Sequence, residues 1–566
     1  MNPMIRCATA ATLLILTAVG CGNESATSAP PATSAAEASA TAKEPVDLIV
    51  HDANVLTLDA ADTRASAMAI RGDRIVAVGD ESLRERYAAA SSVDLDGRTV
   101  MPGFVDSHTH ISGNPGFYIP LEDVTSVAQI RELVAAKAAE VGPGAWITGY
   151  GWSEDALEEQ RRPLIGDLDA AAPDNPVVLT RAGGHSAVAS SLAFERAGID
   201  ADTPDPDRGV IEHDDEGHLN GIIRERQDLL LDLVPEPDDV DLRPSLVANL
   251  QALFGHGITS IIQASDSIDH FAEWQTVYDL HRGRLPRAAV QVAWEGGDAM
   301  SAFGRKSGDG DEHLRVGAIK IFADGGFTGP AAFTTAPYKG QGDYRGKLNM
   351  TPEELFQTIR EAHDAGWQLG IHAIGDAAIE LTVDGLVAAL DDQPRADHRH
   401  YLNHFTVMPG AATMATMAAH GIAITQQPNF TYTLEGRYVD NLDGARLETN
   451  NPLRTPMDHG IHFAISSDIL PIGPAIGLYA AVTRRGMSGR VFGADERMTM
   501  AEALRAYTVQ GAWLTREEDE KGTLEPGKLA DFIVLSADPL SAPVDEVLEL
   551  DVLETYLGGQ RVYAAN

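Results

Sequence analysis

The sequence predicts an α/β protein: a (β/α)8 TIM-like barrel with a small β-sandwich domain built from both chain ends and an insertion near the barrel mouth. Three observations predict it. Short apolar runs alternate with helical segments through the middle of the chain. Both chain ends are rich in strand-like alternation. One long stretch, Gly113 to Asn220, is punctuated by glycine and proline and interrupts the barrel units. Strand–helix alternation points to a parallel sheet, and eight such units close into a barrel.

The first element is an N-terminal leader. Arg6 is followed by an uncharged run from Ala8 to Gly20, too short to span a bilayer comfortably. It fits the apolar region of a signal peptide. The run ends Thr17-Ala18-Val19-Gly20-Cys21, which resembles a bacterial lipoprotein cleavage site. The expectation is a signal peptide over 1–20, a lipidated Cys21 and a flexible Ser/Thr/Ala/Pro tether over 21–45. The protein would then be exported and lipid-anchored to a bacterial membrane, on its periplasmic or extracellular face. An ordinary secretory signal that contains Cys21 is the alternative.

The β-domain comes next and last. Asp47 to Leu58 alternates apolar and polar residues. Ala67 to Gly79 reads as a hairpin around Gly72-Asp73. Ala530 to Leu535 is an apolar run, and Val552 to Tyr563 holds a second hairpin signal at Gly558-Gly559. These give a composite sandwich over 46–101 and 520–566, with the barrel over 102–519 and the insertion over roughly 113–220. Candidate strands between them are Phe104–His110, Val177–Arg181, Thr259–Gln263, Ala288–Ala293, Ala318–Ala323, Leu369–Ala373, Tyr401–Phe405, Ala423–Gln426 and His462–Ser467. Two helices carry start signals. Thr351-Pro352-Glu353-Glu354 is a capping box with proline in the first turn, closed at Gly366, and Thr499 to Glu502 repeats the box.

Composition narrows function. Of 566 residues, 83 are acidic and 43 are Lys or Arg, a formal charge of −40 that repels phosphate backbones and argues against nucleic-acid partners. The only cysteines are Cys7 and Cys21. Cleavage before Cys21 leaves a globular part without structural disulfides or Cys-ligated zinc. Any metal site must use His, carboxylate or modified Lys.

Such ligands stand at the ends of apolar runs. His108 and His110 are two apart in one strand and so face one side, at the end where barrel active sites lie. Lys320 sits inside the apolar run Ala318 to Ala323, where an ion is costly to bury. It can snorkel, pair with Asp324, or add carbon dioxide and become an anionic carbamate. His372, His404 and Asp468 each close another apolar run. Any one of these is readily a structural residue; six in order, each at a strand end, point to a common cation site.

The string Pro102-Gly103-Phe104-Val105-Asp106-Ser107-His108-Thr109-His110 resembles the opening signature of the amidohydrolase superfamily. Gly149 to Trp152, Gly184 to Ala187, Lys320 with Asp324-Gly325, His372 to Asp376, Gln427-Pro428, Ser467-Asp468 and Gly522 to Asp531 resemble amidohydrolase family 3, the N-substituted formamide deformylase-like group. The resemblance runs from Val46 to the C-terminus. It implies that His108 and His110 hold one divalent metal and His372 and His404 a second, with a carboxylated Lys320 as bridge. It implies that Asp468 contacts metal and acts as general base and acid. Zinc is the default; iron, manganese or nickel suit the same ligands. Asn403 and the Asp468-Ile469-Leu470 run depart from the family pattern, and this bears on substrate class. His185 is a candidate donor to the substrate oxygen, and Tyr150 and Trp152 are candidate pocket walls.

The expected activity is metal-dependent hydrolysis of a C–N bond in a small-molecule amide, N-formyl, N-acyl or cyclic. An aminohydrolase and a non-catalytic solute- or metal-binding lipoprotein are the alternatives. A homodimer is left open.

Overall fold

The computed structural model describes residues 43–207, 209–235, 242–327, 329–469 and 472–565. Cys21, the leader and nearly all of the tether lie outside them. Eight apolar runs form parallel strands in sequence order: β1 (Phe104–Thr109), β2 (Ile258–Asp266), β3 (Arg287–Ala293), β4 (Leu314–Phe322), β5 (Leu369–Ala373), β6 (Tyr401–His404), β7 (Ala423–Gln426) and β8 (Phe463–Ile465). The ring is joined just past β8, where Asp468 N–H donates to His108 O at 2.7 Å and His110 N–H to Asp468 O at 3.3 Å.

Size complementarity fills the barrel interior. Ala289, Ala318, Ala423 and Ala464 leave room for the buried ring of Tyr401. Gly370 serves the same ring, since a Cβ there would fall 2.7 Å from Tyr401 Cζ. Outside, Ile, Leu and Val of the strands pack against helices such as Pro352–Asp364 and Asp376–Asp392. The first of these starts with the expected capping box: Glu354 N–H donates to Thr351 Oγ1, and Thr351 N–H to Glu354 Oε2. Gly366, at φ +87°, ends it.

Two sheets form the β-sandwich. One holds Glu44–His51, Ala67–Arg71, Arg74–Gly79 and Tyr87–Asp94. The other joins Asn54–Leu56, Arg64–Ala65 and Thr99–Pro102 to Phe532–Leu535, Val552–Leu557 and Gln560–Ala564. Their inner faces share a core of Val50, Met68, Val100, Phe532 and Val534. Asp531, in the Gly522 to Asp531 string, forms a bidentate ion pair with Arg287 of β3 and so ties sandwich to barrel.

A third, six-stranded sheet fills the stretch between β1 and β2, from Tyr118–Pro120 through Leu219–Arg224. It contains Val177–Arg181, which pairs with Ile147–Trp152 and Ser186–Ala189 rather than with barrel strands. A doubly buried strand of either sheet reads as the same apolar run, which is why nine candidates appear for eight barrel positions.

Candidate metal centre and active site

Alternation along the strands delivers most of the site. Ala318 faces the barrel interior, so Lys320 does too; Tyr401 brings Asn403, and Ala464 brings Ser466 and Asp468. His404 follows Asn403 and would point the wrong way in a regular strand. Positive φ at His404 (+80°) and Phe405 (+54°) turns the chain, and the imidazole reaches the same cavity. Asp468 is also left-handed, at φ +64°. Strained backbone of this kind persists where the surroundings fix it, and it clusters at functional sites.

The structure brings all six predicted ligands together. His110 Nε2 lies 3.4 Å and His108 Nε2 3.7 Å from Asp468 Oδ1. His404 Nδ1 is 3.9 Å from Asp468 Oδ2, and Lys320 Nζ is 3.5 Å from His108 Nε2. The His372 and His404 rings are 4.4 Å apart, and those of His108 and His404 4.9 Å. Side chains of His110, Lys320, His372, His404 and Asp468 line a cavity of about 360 Å³ with His108 buried behind them.

Electrostatics suit ligation. Burial, reinforced by neighbouring cationic groups, holds His108, His372 and His404 well below the usual imidazole range and brings His110 down to about 3. All four are therefore neutral, as metal binding requires. Burial pushes Lys320 down and Asp468 up, each opposed by the other's charge. Asp468 Oδ1 is buried and has no hydrogen-bond partner. An orphaned carboxylate oxygen facing two imidazole nitrogens is the donor set a divalent cation needs. The residues present fit such an ion.

The supporting roles of several residues were not visible in the sequence. His108 Nδ1–H donates to Asn403 Oδ1 at 2.9 Å, and His404 Nδ1–H to Gln427 Oε1 at 2.8 Å. Each bond fixes a tautomer and leaves Nε2 free for a cation. Gln427 is itself held, its Nε2 donating to Ser466 Oγ at 2.9 Å. The Asn403 departure from the family pattern is thus a partner for His108. Buried Asp106, pushed up to about 6, accepts from Ser467 N–H and steadies the Asp468 turn.

Asp324 does not pair with Lys320. Its carboxylate accepts backbone N–H groups of Phe333, Ile374 and Gly375, and burial raises it to about 7 despite them. The salt-bridge alternative for Lys320 is therefore corrected: Asp324 organises the loops after β4 and β5. Gly326 in the same string makes room for His185, since a Cβ there would fall 2.0 Å from the imidazole.

His185 lines the cavity, and its Nδ1–H donates to Glu225 Oε2 at 3.0 Å. Burial opposes its charge, but the Glu225 carboxylate prevails and raises its pKa. Tyr150 also lines the cavity and accepts from Gly183 N–H at 3.0 Å. Trp152 does not reach it. Its indole is buried in the apolar core of the insertion, with Nε1–H donating to Leu179 O at 2.9 Å. Two residues apart in a regular strand, Tyr150 and Trp152 would share a face. A register shift between them, with Gly151 at φ +116°, breaks the alternation. The pocket-wall expectation for Trp152 is corrected accordingly.

The amidohydrolase family model matches residues 92–563. The chain belongs to the amidohydrolase family. It is 30% identical to the YtcJ protein of Bacillus subtilis (strain 168), over 91% of this chain and 99% of that one. It is also 30% identical to the N-substituted formamide deformylase of Arthrobacter pascens, over 91% and 97%. Its fold matches the crystal structure of an uncharacterized metal-dependent hydrolase from Pyrococcus horikoshii OT3, with a TM-score of 0.67 at 23% identity over 88% of this chain and 99% of that one. This amidohydrolase is an enzyme, and the alternative of a non-catalytic binding lipoprotein falls away.

Proposed function

We propose that this amidohydrolase cleaves the C–N bond of a small-molecule amide, N-formyl, N-acyl or cyclic, with Asp468 moving the proton. The observation that carries the reading is Asp468 Oδ1, buried, unpartnered and facing the Nε2 atoms of His108 and His110. The similarity to an N-substituted formamide deformylase supports N-formyl amides as the first substrates to try.

In this reading His108, His110 and Asp468 hold one divalent cation and His372 and His404 a second, zinc by default for such donors. A bound cation there supplies Lewis acidity, which acidifies water and polarises a carbonyl. Burial favours the neutral amine of Lys320. That nitrogen would attack carbon dioxide, an N–C bond forming as one C=O π bond opens and an amine proton passes to solvent, and the resulting carbamate would add an anionic oxygen ligand to the site. Asp468 accepts the proton of the attacking water as the C–O bond forms. It returns that proton to the departing nitrogen as the C–N bond breaks. His185, whose charged form the Glu225 carboxylate favours, donates to the carbonyl oxygen as that atom gains charge.

Elemental analysis of purified protein, then a screen of N-formyl, N-acyl, lactam and hydantoin compounds with amine and ammonia detection, tests the reading. Stoichiometric divalent metal and release of a substituted amine support it. Ammonia release from a ring would replace it with the aminohydrolase reading, and metal-loaded protein inert to the whole panel rejects it. We also propose export and lipid anchoring through Cys21. Cys21→Ala should shift the protein from membrane to soluble fractions, and unchanged membrane association rejects the anchor.

A further inference from the structure

Beside the catalytic cavity lies a larger one, of about 790 Å³. The two share His110, Tyr150 and Ile469, so a single molecule can occupy both. Phe117, Tyr118, Leu231, Val234, Leu253 and Ile472 make much of the larger wall apolar. Its charged side chains are Glu122 and Asp123, and no Lys or Arg lines it among the described residues. Of the other titratable wall groups, Tyr118 and Tyr150 are raised by loss of hydration and His110 and His256 are lowered by it, with Asp123 opposing the shift at His256. Glu122 is half-buried, and burial raises its carboxyl, with Asp123 adding to the rise.

We infer that the larger cavity holds the part of the substrate distal to the scissile bond, and that this part is an apolar chain or ring ending in a cationic amine. The inference rests on the C–N hydrolase reading. An apolar body gains by leaving water for the Leu, Val and Ile wall. An ammonium brought in with it loses hydration, and Glu122 offers a counter-charge, with the aromatic residues Phe117 and Tyr118 in the same wall as cation–π partners. A distal carboxylate would meet only like charge and would be rejected. The acidic surface of the whole protein favours approach of the same cations.

The test uses the metal-loaded, full-length enzyme and N-formyl-α,ω-diaminoalkanes of increasing length. Matched N-formyl aminoalkanols and N-formyl amino acids replace the distal ammonium with hydroxyl or carboxylate. A second measurement needs no turnover: calorimetric binding of the free diaminoalkanes and aminoalkanols at about 0.15 M salt, where distant surface charge is screened. At the best length, the ammonium series should lead the hydroxyl series about tenfold in both kcat/KM and affinity. The carboxylate series should fall below both, and Glu122→Gln should cut the ammonium preference to about twofold. Equal calorimetric affinity for diaminoalkanes and aminoalkanols overturns the inference, as does a full preference retained in the Glu122→Gln, Asp123→Asn double variant. A Glu122-dependent preference in binding, in a metal-loaded enzyme inert to the whole N-formyl, N-acyl, lactam and hydantoin panel, would sink the hydrolase reading and leave the cavity assignment standing. Hydrolysis without the preference would do the reverse.

Discussion

Strand β6 carries a histidine cluster at each end, and the two could hardly differ more. Before the strand, His400 packs with His363 and His398. Every ring nitrogen there has a partner. Leu369 N–H donates to His400 Nδ1, His400 Nε2–H to His363 Nδ1, and His363 Nε2–H to Gln393 O. His400 N–H donates to His398 Nδ1, and His398 Nε2–H to His420 O. At the far end, His404 joins His108, His110 and His372; partners pin Nδ1 of His108 and His404, while the Nε2 atoms of His108 and His110 face an unpartnered carboxylate oxygen of Asp468. Both clusters are held neutral, and all of their histidines but His110 are buried. Density of histidines therefore does not mark a metal site; unsatisfied donors do.

The sharpest break between the two ends is Asp468→Asn. It should keep its metal by elemental analysis and lose turnover by about a thousandfold, the upper range for general acid–base catalysis. Activity within a few-fold of wild type would remove Asp468 from the proton path. At the other end, His400→Leu strands the partners of a satisfied network. Denaturant unfolding should show a loss of about 2–3 kcal/mol, while turnover of the remaining folded enzyme is retained. An unchanged unfolding free energy would show that the lower cluster does not bear on stability.

A finer probe asks whether the pinned nitrogens of the upper cluster matter. Asn403→Leu leaves His108 Nδ1 without an acceptor and should weaken metal binding about 10- to 100-fold in a competition titration. Wild-type affinity would mean that the ring is held by packing alone. The smallest effect is the pH dependence of the lower cluster. Burial holds His363, His398 and His400 below the ordinary value of 6.5 in the folded protein. Below that pH the unfolded chain takes up protons that the folded rings refuse. Stability is therefore full above pH 6.5 and falls as pH drops beneath it. Melting temperatures measured from pH 8 down to pH 5 should show the decline, reduced in His400→Leu; an identical decline in the variant would assign it to other groups.

Much of the upper site was legible because a barrel exposes chemistry at strand ends. His108, His110, Lys320, His372, His404 and Asp468 each close or interrupt an apolar run, and strand parity aims most of them inward. Parity also misled where the backbone departs from it. The bulge at Gly151 separates Tyr150 from Trp152, and the positive φ at His404 brings in a side chain that alternation would send away. The lower cluster gave no signal, since His363 comes from a helix while His398 and His400 precede a strand. Glu225 was equally silent, and although Asn403 and Gln427 stood out in the sequence, their roles did not, because those roles are set by partners distant in the chain.

The join between β1 and the turn after β8 has a consequence for when this enzyme becomes an enzyme. His108 and His110 leave the ribosome early, while Asp468, whose backbone bonds to His108 and His110, is made only after seven further barrel strands. A nascent or truncated chain can display the two imidazoles yet lacks the carboxylate opposite them. On the reading in which Asp468 moves the proton, hydrolytic competence thus arrives in one step, on completion of the ring, and chains that end before Asp468 should lack it.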